Sequence, residues 1–445
     1  MLDLDTPTEL GNSTKGEGEP GARREEGAVG NEMRRKAKPG RAGAARRRRA
    51  GTATARLRRS RRGSYDGGMP HDFEELLRAL PKVSLHDHLD GGLRPQTIVE
   101  IAAETGFALP AATAEELETW FTSSASAGTL DEYLATFAVT VGVMRTRDAL
   151  IRVAREFVED LVADGVVHGE IRWAPEQHLS GGLSLDEAVE AVQEGIDRAL
   201  EASERPITAG QILCALRHLD RSEEIAELAL RHRDRGVLGF DIAGPEIGFA
   251  ASAHRAAFER LAAEHLPVTV HAGEADGVAS IEDALLAGRA LRLGHGVGIA
   301  LDIELEESDG ETLATLGRTA QWVRDREIVL EIAPSSNLQT EPAKWFGPEL
   351  ADQPFDLLYQ LGYRVTVNTD NRLMSATSIT RELAQLVEVF EYDLADLEVF
   401  QLNAAAGSFL PLEQREELAE LISDGFEAAL LLIEDEGAAD EEPGA

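Results

Sequence analysis

Cysteine is almost absent from this chain, which contains only Cys214 in 445 residues. A single cysteine excludes an intrachain disulfide and any metal site built from cysteine ligands. Chains so poor in cysteine are typical of reducing compartments, and we predict a cytoplasmic protein.

Long hydrophobic runs are also missing. No apolar stretch reaches the roughly 18 residues of a membrane-spanning helix, and no apolar segment follows the N-terminal arginines as a secretory signal requires. The sequence therefore predicts no membrane partner. Aromatic residues make up only 5% of the chain, but hydrophobic residues total 43%, enough for a substantial core.

Positive charge is scarce outside the N-terminus, and the net charge is −36. Residues 1–63 hold 17 Lys and Arg against 8 Asp and Glu, whereas the remainder holds 27 against 72. Because such an acidic body repels phosphate, we predict no nucleic-acid partner.

Composition divides the chain into three parts. Residues 1–68 are rich in Gly, Ala, Arg and Ser without apolar periodicity, which predicts a disordered basic segment of no catalytic importance. Residues 69–433 are expected to form one domain, and residues 434–445 an acidic disordered tail. Met69, directly before the first amphipathic helix, is an alternative start.

Strand-like and helix-like patterns alternate through the central part. The predicted strands are Val83–His88, Val166–Trp173, Ile207–Leu216, Val237–Ile242, Val268–His271, Leu291–His295, Ile328–Ile332 and Arg364–Asn368. The predicted helices between them include Arg147–Asp164, Leu185–Ala202, Ser222–Arg235 and Ile379–Phe390. Eight such repeats predict an α/β fold, a (β/α)8 TIM-type barrel, with extra helices at residues 96–139 capping the C-terminal face. An open doubly wound sheet is the alternative, but no Gly-x-Gly-x-x-Gly turn follows a strand.

Chemistry-bearing side chains stand at the ends of these strands. His86 and His88 are spaced i, i+2, so they point to the same face of a strand. His271, His295 and Asp370 each end a further strand-like run, where a barrel places its catalytic groups. Three neutral imidazoles and one carboxylate form a plausible set for one zinc ion, with a position left for water.

Glu274 follows His271 by three residues and is a candidate proton shuttle; a surface carboxylate on the loop is the alternative. Lysine is absent between Lys82 and Lys344. This absence excludes the carboxylated lysine that bridges two ions in many binuclear hydrolases, so we predict one ion per chain. Seven other histidines lack the strand-end placement and are interpreted as ordinary surface or core residues: His71, His168, His178, His218, His232, His254 and His265.

Several ordered motifs across residues 78–410 resemble the adenosine deaminase family of the amidohydrolase superfamily. They are Ser-Leu-His-Asp-His-Leu-Asp-Gly-Gly, Glu-Ile-Arg-Trp-Ala-Pro, Phe-Asp-Ile-Ala-Gly-Pro-Glu, His-Ala-Gly-Glu, Gly-His-Gly, Ala-Pro-Ser-Ser-Asn and Val-Asn-Thr-Asp-Asn. The resemblance implies four zinc ligands, namely His86, His88, His271 and Asp370. It implies Glu274 as the proton donor to purine N1 and His295 as the residue that orients and activates the attacking water.

The resemblance also implies substrate contacts. Gly244 matches a glycine whose amide contacts the purine, and Asp90 matches a residue that accepts a hydrogen bond from the ribose hydroxyl. His88 is counted among the residues that face the substrate. A helix over Leu130–Phe137, with its Tyr and Phe on one face, resembles an apolar lid over the sugar; plain core packing is the alternative.

Two positions depart from the family pattern. Asn371 stands where the family usually carries an Asp that hydrogen-bonds purine N7, and its amide can donate to N7 without being protonated. Tyr133 replaces a frequent Phe before Phe137 and adds a hydroxyl near the sugar.

The resemblance implies hydrolytic deamination of adenosine and 2′-deoxyadenosine to inosine and ammonia. Deamination of adenine or a modified adenosine derivative is the alternative; related adenine deaminases tend to carry Glu in place of Asp90, which favours a nucleoside. A non-catalytic zinc-bound barrel would be expected to lack Glu274 or His295, and both are present. Deaminases with cysteine-ligated zinc, which act on bases in nucleic acid, are excluded because they need at least two cysteines.

Overall fold

Eight parallel strands lie side by side in the computed structural model, which describes residues 54–56, 71–126, 129–308 and 311–440. With three further strands outside this group, β1, β8 and β9, the described strands are β1 Thr54–Arg56, β2 Lys82–His88, β3 Val166–Trp173, β4 Thr208–Leu216, β5 Val237–Ala243, β6 Thr269–Ala272, β7 Arg292–His295, β8 Ile303–Ser308, β9 Glu311–Leu316, β10 Val329–Ile332 and β11 Val365–Val367. All eight predicted strands are present, each with ends within one residue of the prediction.

The parallel strands close into a barrel. Four of them follow the order β2-β3-β4-β5, and the other four follow β6-β7-β10-β11. Parallel bridges join the two sets, Phe240 with Val268 on one side and Asp87 with Asp370 on the other. The predicted α/β class and TIM-type barrel are therefore confirmed.

Helices surround the strands. They are α1 His71–Ala79, α2 Pro95–Thr105, α3 Ala114–Ala125, α4 Leu130–Leu134, α5 Phe137–Val143, α6 Arg147–Ala163, α7 Leu185–Ala202, α8 Ser222–His232, α9 Arg255–Ala263, α10 Val278–Leu286, α11 Arg318–Asp325, α12 Pro334–Gln339, α13 Pro342–Phe346, α14 Phe355–Gln360, α15 Arg372–Ser375, α16 Ile379–Phe390, α17 Leu394–Gly407 and α18 Leu412–Asp440. Local sequence explains several ends: Ser184 and Glu187 form a capping box at the start of α7, and Gly106 ends α2 at a φ of 74°.

The lid segment differs from its prediction. Instead of one helix over Leu130–Phe137, the chain forms α4 and α5 with a break between them. The hydroxyl of Thr136 donates to the carbonyl of Tyr133 at 2.7 Å, and the Thr136 amide bonds the same carbonyl at 3.1 Å. These local hydrogen bonds make a turn that competes with a continuous helix.

A hairpin outside the barrel was not predicted. Strands β8 and β9 pair antiparallel, and β1 adds to β9 with Thr54 opposite Thr315. Its alternating Ile-Glu-Leu-Glu pattern has the period of a strand, but it falls between β7 and α11, where the barrel repeat leads to a helix.

Both predicted terminal segments overlap helices or strands that the structure describes. Residues 54–56 belong to a strand although they fall within the predicted segment 1–68, and α18 continues through Asp440, beyond the boundary at residue 433. The other residues of the N-terminal segment and residues 441–445 lie outside the described part, so the division into three parts stays a prediction. None of the described helices is long and apolar enough to cross a membrane.

Candidate active site

Four predicted ligands converge at one end of the barrel. One ligand atom from each of His86, His88, His271 and Asp370 lies within 4.8 Å of all the others. The Nε2 atoms of His88 and His271 are 3.2 Å apart, and Oδ1 of Asp370 lies 3.2 Å from Nε2 of His86. A cluster this tight is the arrangement that holds a metal ion.

Strand geometry explains the convergence. The alternation of β2 places His86 and His88 on one face, and His271 lies on β6, across the barrel. Asp370 and His295 have left-handed backbones, with φ of 57° and 60°. Non-glycine residues rarely adopt this conformation, and such strain is concentrated at functional sites.

Acidic and hydroxyl groups orient the ligands from behind. His86 Nδ1 lies 3.1 Å from a Glu331 carboxylate oxygen, and His271 Nδ1 lies 2.8 Å from Asp241 Oδ2. The hydroxyl of Ser336 donates to Asp370 Oδ2 at 2.7 Å. Partners of this kind fix the ring orientation and the tautomer of metal-binding histidines.

Buried arginines form hydrogen bonds with the carboxylates that contact the histidine ligands. Arg172 donates to Asp241 at 2.9 Å and to Glu331 at 2.7 Å. Arg292 bonds Glu331 and also Glu170. Sequence reasoning missed this charged cluster; the i, i+2 spacing of Glu170 and Arg172, which places both on one face of a predicted strand, was the available signal.

Burial sets the protonation tendencies of the imidazoles. It lowers the pKa of His271 and holds the pKa of His88 well below its usual value, which favours the neutral rings that metals bind. His86 differs: burial and the charge of Arg172 act to lower its pKa, but its contacts with Asp370 and Glu331 outweigh them and raise it.

Glu274 and His295 adjoin the cluster, with Glu274 Oε2 3.5 Å from His295 Nε2. Burial, followed by the charge of Asp370, raises the pKa of Glu274 well above its ordinary value, so its protonated form is favoured. Burial, followed by the charge of His86, holds the pKa of His295 well below its ordinary value. The site thus pairs a candidate acid with a neutral imidazole that can accept a proton.

A cavity of about 390 Å³ opens onto these groups. Its walls include nearly all the predicted site residues, namely His88, Asp90, Tyr133, Phe137, Gly244, His271, Glu274, His295, Asp370 and Asn371. The buried His86 lies behind this wall in the metal cluster. One oxygen of Asp90, the hydroxyl of Tyr133 and the amide oxygen of Asn371 are buried without a hydrogen-bond partner, so all three are available to a ligand.

Further residues line the cavity that were not predicted to do so, and those with a polar or thiol side chain are Gln177, Cys214 and His218. His218 follows β4 and was interpreted as an ordinary histidine. It lies beside Gly244, where an added Cβ would come within 3.3 Å of the His218 ring. Its position two residues after the end of a barrel strand was the available signal.

Comparisons with known proteins agree with this geometry. The profile of the family described as adenosine deaminase matches residues 81–425. The chain belongs to the adenosine deaminase family. Adenosine deaminase 1 of Streptomyces coelicolor is 54% identical over 77% of this chain and 85% of that protein. Adenosine deaminase of Mycolicibacterium vanbaalenii is 51% identical over 78% of this chain and 94% of that protein.

Among solved structures, the chain is similar to the adenine deaminase of Arthrobacter aurescens. It is 25% identical, covers 78% of this chain and 99% of its own, and superposes with a TM-score of 0.66. Membership of this metal-dependent family makes the chain an enzyme rather than a non-catalytic barrel.

Proposed function

We propose that this chain catalyses the hydrolytic deamination of adenosine and 2′-deoxyadenosine, giving inosine and ammonia from adenosine, with one zinc ion per chain. One observation carries the proposal: a His-His-His-Asp cluster shares a nucleoside-sized cavity with a buried glutamic acid. Relatives about half identical over most of the chain are named adenosine deaminases, which supports the same reaction here.

The donor atoms suit zinc. His86, His88, His271 and Asp370 would hold the ion, and Nε2 of His86 is buried without a hydrogen bond of good geometry, as expected of a metal-binding atom. When bound, zinc lowers the pKa of water to about 7, which supplies hydroxide at neutral pH.

The remaining steps are proton transfers by this chain's own residues. His295 orients the water and accepts its proton, for which a neutral imidazole is required. Glu274, kept protonated by burial, donates to purine N1 as the oxygen adds at C6. Protonation of N1 limits the charge that develops on the ring. His295 then passes the proton it took from water to the amino group, ammonia leaves C6, and the proton of the added hydroxyl restores the acid form of Glu274.

Substrate recognition would use the cavity wall. Burial raises the pKa of Asp90 to about 7, and a ribose hydroxyl that donates to its free oxygen would satisfy it. Gly244, with a φ of 95°, brings backbone close to the flat purine. Asn371 would donate its amide to N7, and Tyr133 with Phe137 would cover the sugar. His88 completes the wall that faces the substrate.

We also propose that residues 69–433 carry the whole activity, that the protein works in the cytoplasm, and that its partner is a small nucleoside and not nucleic acid or a membrane. The low cysteine content and the acidic body support these assignments.

Steady-state kinetics on adenosine, 2′-deoxyadenosine, adenine and AMP test the substrate. Ultraviolet absorbance should report the highest kcat/KM for the two nucleosides, and elemental analysis of the same preparation should give one zinc per chain. A preference for free adenine would overturn the nucleoside assignment.

A further inference from the structure

Glu246 is a buried carboxylate to which the proposed chemistry assigns no role. It stands two residues after Gly244, in the loop that follows β5, and accepts hydrogen bonds from five donors. Four are consecutive backbone amides, those of Gly273 at 2.7 Å, Glu274 at 3.1 Å, Ala275 at 2.6 Å and Asp276 at 3.0 Å. The fifth is the hydroxyl of Ser280.

These amides belong to the loop that leads from β6 to α10. The loop begins two residues after His271 and carries Glu274 into the cavity. Successive backbone N–H groups that point at one spot form a nest for a negative charge. Here the carboxylate of Glu246 occupies the nest. The loop after β6 is therefore folded around a side chain that comes from the loop after β5.

Arg217 fixes the other end of the same segment. Its guanidinium donates to the carbonyl of His271, and its own amide bonds the carbonyl of Ala243 at 2.9 Å. The Ala272 carbonyl accepts from the Gly296 amide at 3.0 Å. Every residue from His271 to Asp276 is therefore held by a hydrogen bond to its backbone.

Side-chain placement depends on this framework. A proton donor must lie within hydrogen-bond reach of its acceptor, and a misplacement of about 1 Å can cost about 100-fold in rate. The backbone of Glu274 is anchored by Glu246 directly, through its own amide and through the amides on either side.

We infer that Glu246 is a positioning residue whose carboxylate holds the loop at residues 273–276 so that Glu274 reaches the substrate. The inference rests on the proposed function, because it assumes that Glu274 supplies a proton. Glu246 is not among the residues that line the cavity; it acts through the backbone of Glu274.

Glu246→Gln tests this role in the full-length, metal-loaded protein. The new NH2 group faces amide donors and cannot accept from them, so part of the nest is lost. We expect kcat for adenosine to fall about 10- to 100-fold, with KM changed less than about threefold and one metal per chain retained. Hydrogen-exchange mass spectrometry should show the amides at residues 273–276 exchanging about tenfold faster.

Glu156→Gln is the matched control. Glu156 is also buried and accepts from Thr97 and Arg152, but it lies on α6, outside the cavity. We expect this variant to leave kcat and the exchange of residues 273–276 unchanged. If both variants lowered kcat equally, a general loss of stability would explain the effect and the inference would be wrong.

A double-mutant cycle with Glu274→Gln separates positioning from a purely structural role. If Glu246 acts through Glu274, adding Glu246→Gln to Glu274→Gln should lower the residual kcat by less than about twofold. A full 10- to 100-fold further loss, or a Glu246→Gln single variant with the kcat of the unsubstituted protein, would overturn the inference. Unchanged turnover in Glu274→Gln alone would instead overturn the proposed acid.

Ser280→Ala provides a second route should Glu246→Gln fail to fold. It removes one donor to Glu246 and leaves the carboxylate in place. We expect a smaller loss, about two- to fivefold in kcat, which must also disappear in the Glu274→Gln background. A loss that persists there in full would contradict the positioning role.

Discussion

Two carboxyl groups that line one cavity, those of Glu274 and Asp370, have pKa values shifted in opposite directions, and this difference gives them different chemical roles. Burial raises the pKa of Glu274 well above its ordinary value. Burial acts in the same direction on Asp370, but its close contact with His86 and the charge of that imidazole hold the pKa of that carboxyl well below its usual range. One carboxyl is thus suited to donate a proton and the other to bind a cation.

Replacement of Glu274 by Gln should remove the acid and preserve the cavity, because the two side chains have almost the same shape. We expect kcat to fall about 10²- to 10⁴-fold while metal content stays at one per chain. Stopped assays with high enzyme concentrations and elemental analysis measure the two quantities. Near-normal turnover would refute the role of Glu274 as the acid.

Asp241 should matter to the metal rather than to the chemistry. Its carboxylate lies 2.8 Å from Nδ1 of His271 and accepts a hydrogen bond from Arg172. Asp241→Asn should therefore leave the His271 ring less firmly oriented. We expect metal affinity to fall about 10- to 100-fold, measured by competition with a chromophoric chelator. A variant with unchanged affinity and only a lower stability would contradict this assignment.

At the scale of elements, strand ends supply the metal-binding groups and the loops after them supply the rest of the cavity wall. The segment after β3 is an example: Trp173 ends the strand, and the short helical turn over Pro175–Gly181 brings Gln177 to the cavity. His178, in the same turn, packs against Trp173 and bonds the Met144 carbonyl at 3.0 Å. That histidine anchors the turn to the end of α5.

Protonation of His178 at low pH should lower the free energy of unfolding. Burial lowers the pKa of His178 from 6.5 to about 4, so the folded protein binds its proton less readily than the unfolded chain does. The corresponding stability is complete above about pH 6.5 and is lost as the pH falls towards 4, at about 1.4 kcal/mol per pH unit.

His178→Asn keeps a donor for the Met144 carbonyl but cannot be protonated. We expect the free energy of unfolding of the variant to fall less between pH 7 and pH 5 than that of the unsubstituted protein, by about 1 to 2 kcal/mol. Urea unfolding followed by tryptophan fluorescence at both pH values measures this difference. Equal pH dependence in the two proteins would show that His178 does not titrate in this range.

At the scale of the whole molecule, charge is divided between a basic N-terminal segment and an acidic barrel. The described part of that segment, β1, pairs with the outer hairpin and not with the barrel strands. The cavity walls come from residues between His88 and Asn371. Among the described residues, the cavity wall is thus built from the barrel and its loops.

Deletion of residues 1–68 should leave kcat and KM for adenosine within about twofold of the full chain, because all the described cavity residues lie between His88 and Asn371. Deletion of residues 1–51 is the matched control, since it retains β1 and its pairing with β9. A difference in stability between the two truncations would measure the contribution of that strand. A large loss of turnover in both would contradict the proposed extent of the catalytic domain.

Much of this protein could be predicted from the sequence because its signals are local. The alternation of apolar residues predicted eight strands with ends within one residue, and the His86-x-His88 spacing predicted a shared face. Asn371, Tyr133 and Phe137 were expected in the substrate site from their motifs, and the cavity contains all three. Capping residues such as Ser184 set helix starts in the same local way.

Only the tertiary structure decided the rest, because the contacts involved join residues distant in sequence. The ring of His86 meets Glu331 across 245 positions, and Arg172 meets the same carboxylate across 159. The nest around Glu246 likewise depends on two loops being neighbours. A sequence states which groups are present; the closing of the barrel, driven by burial of its apolar strands, decides which of them meet.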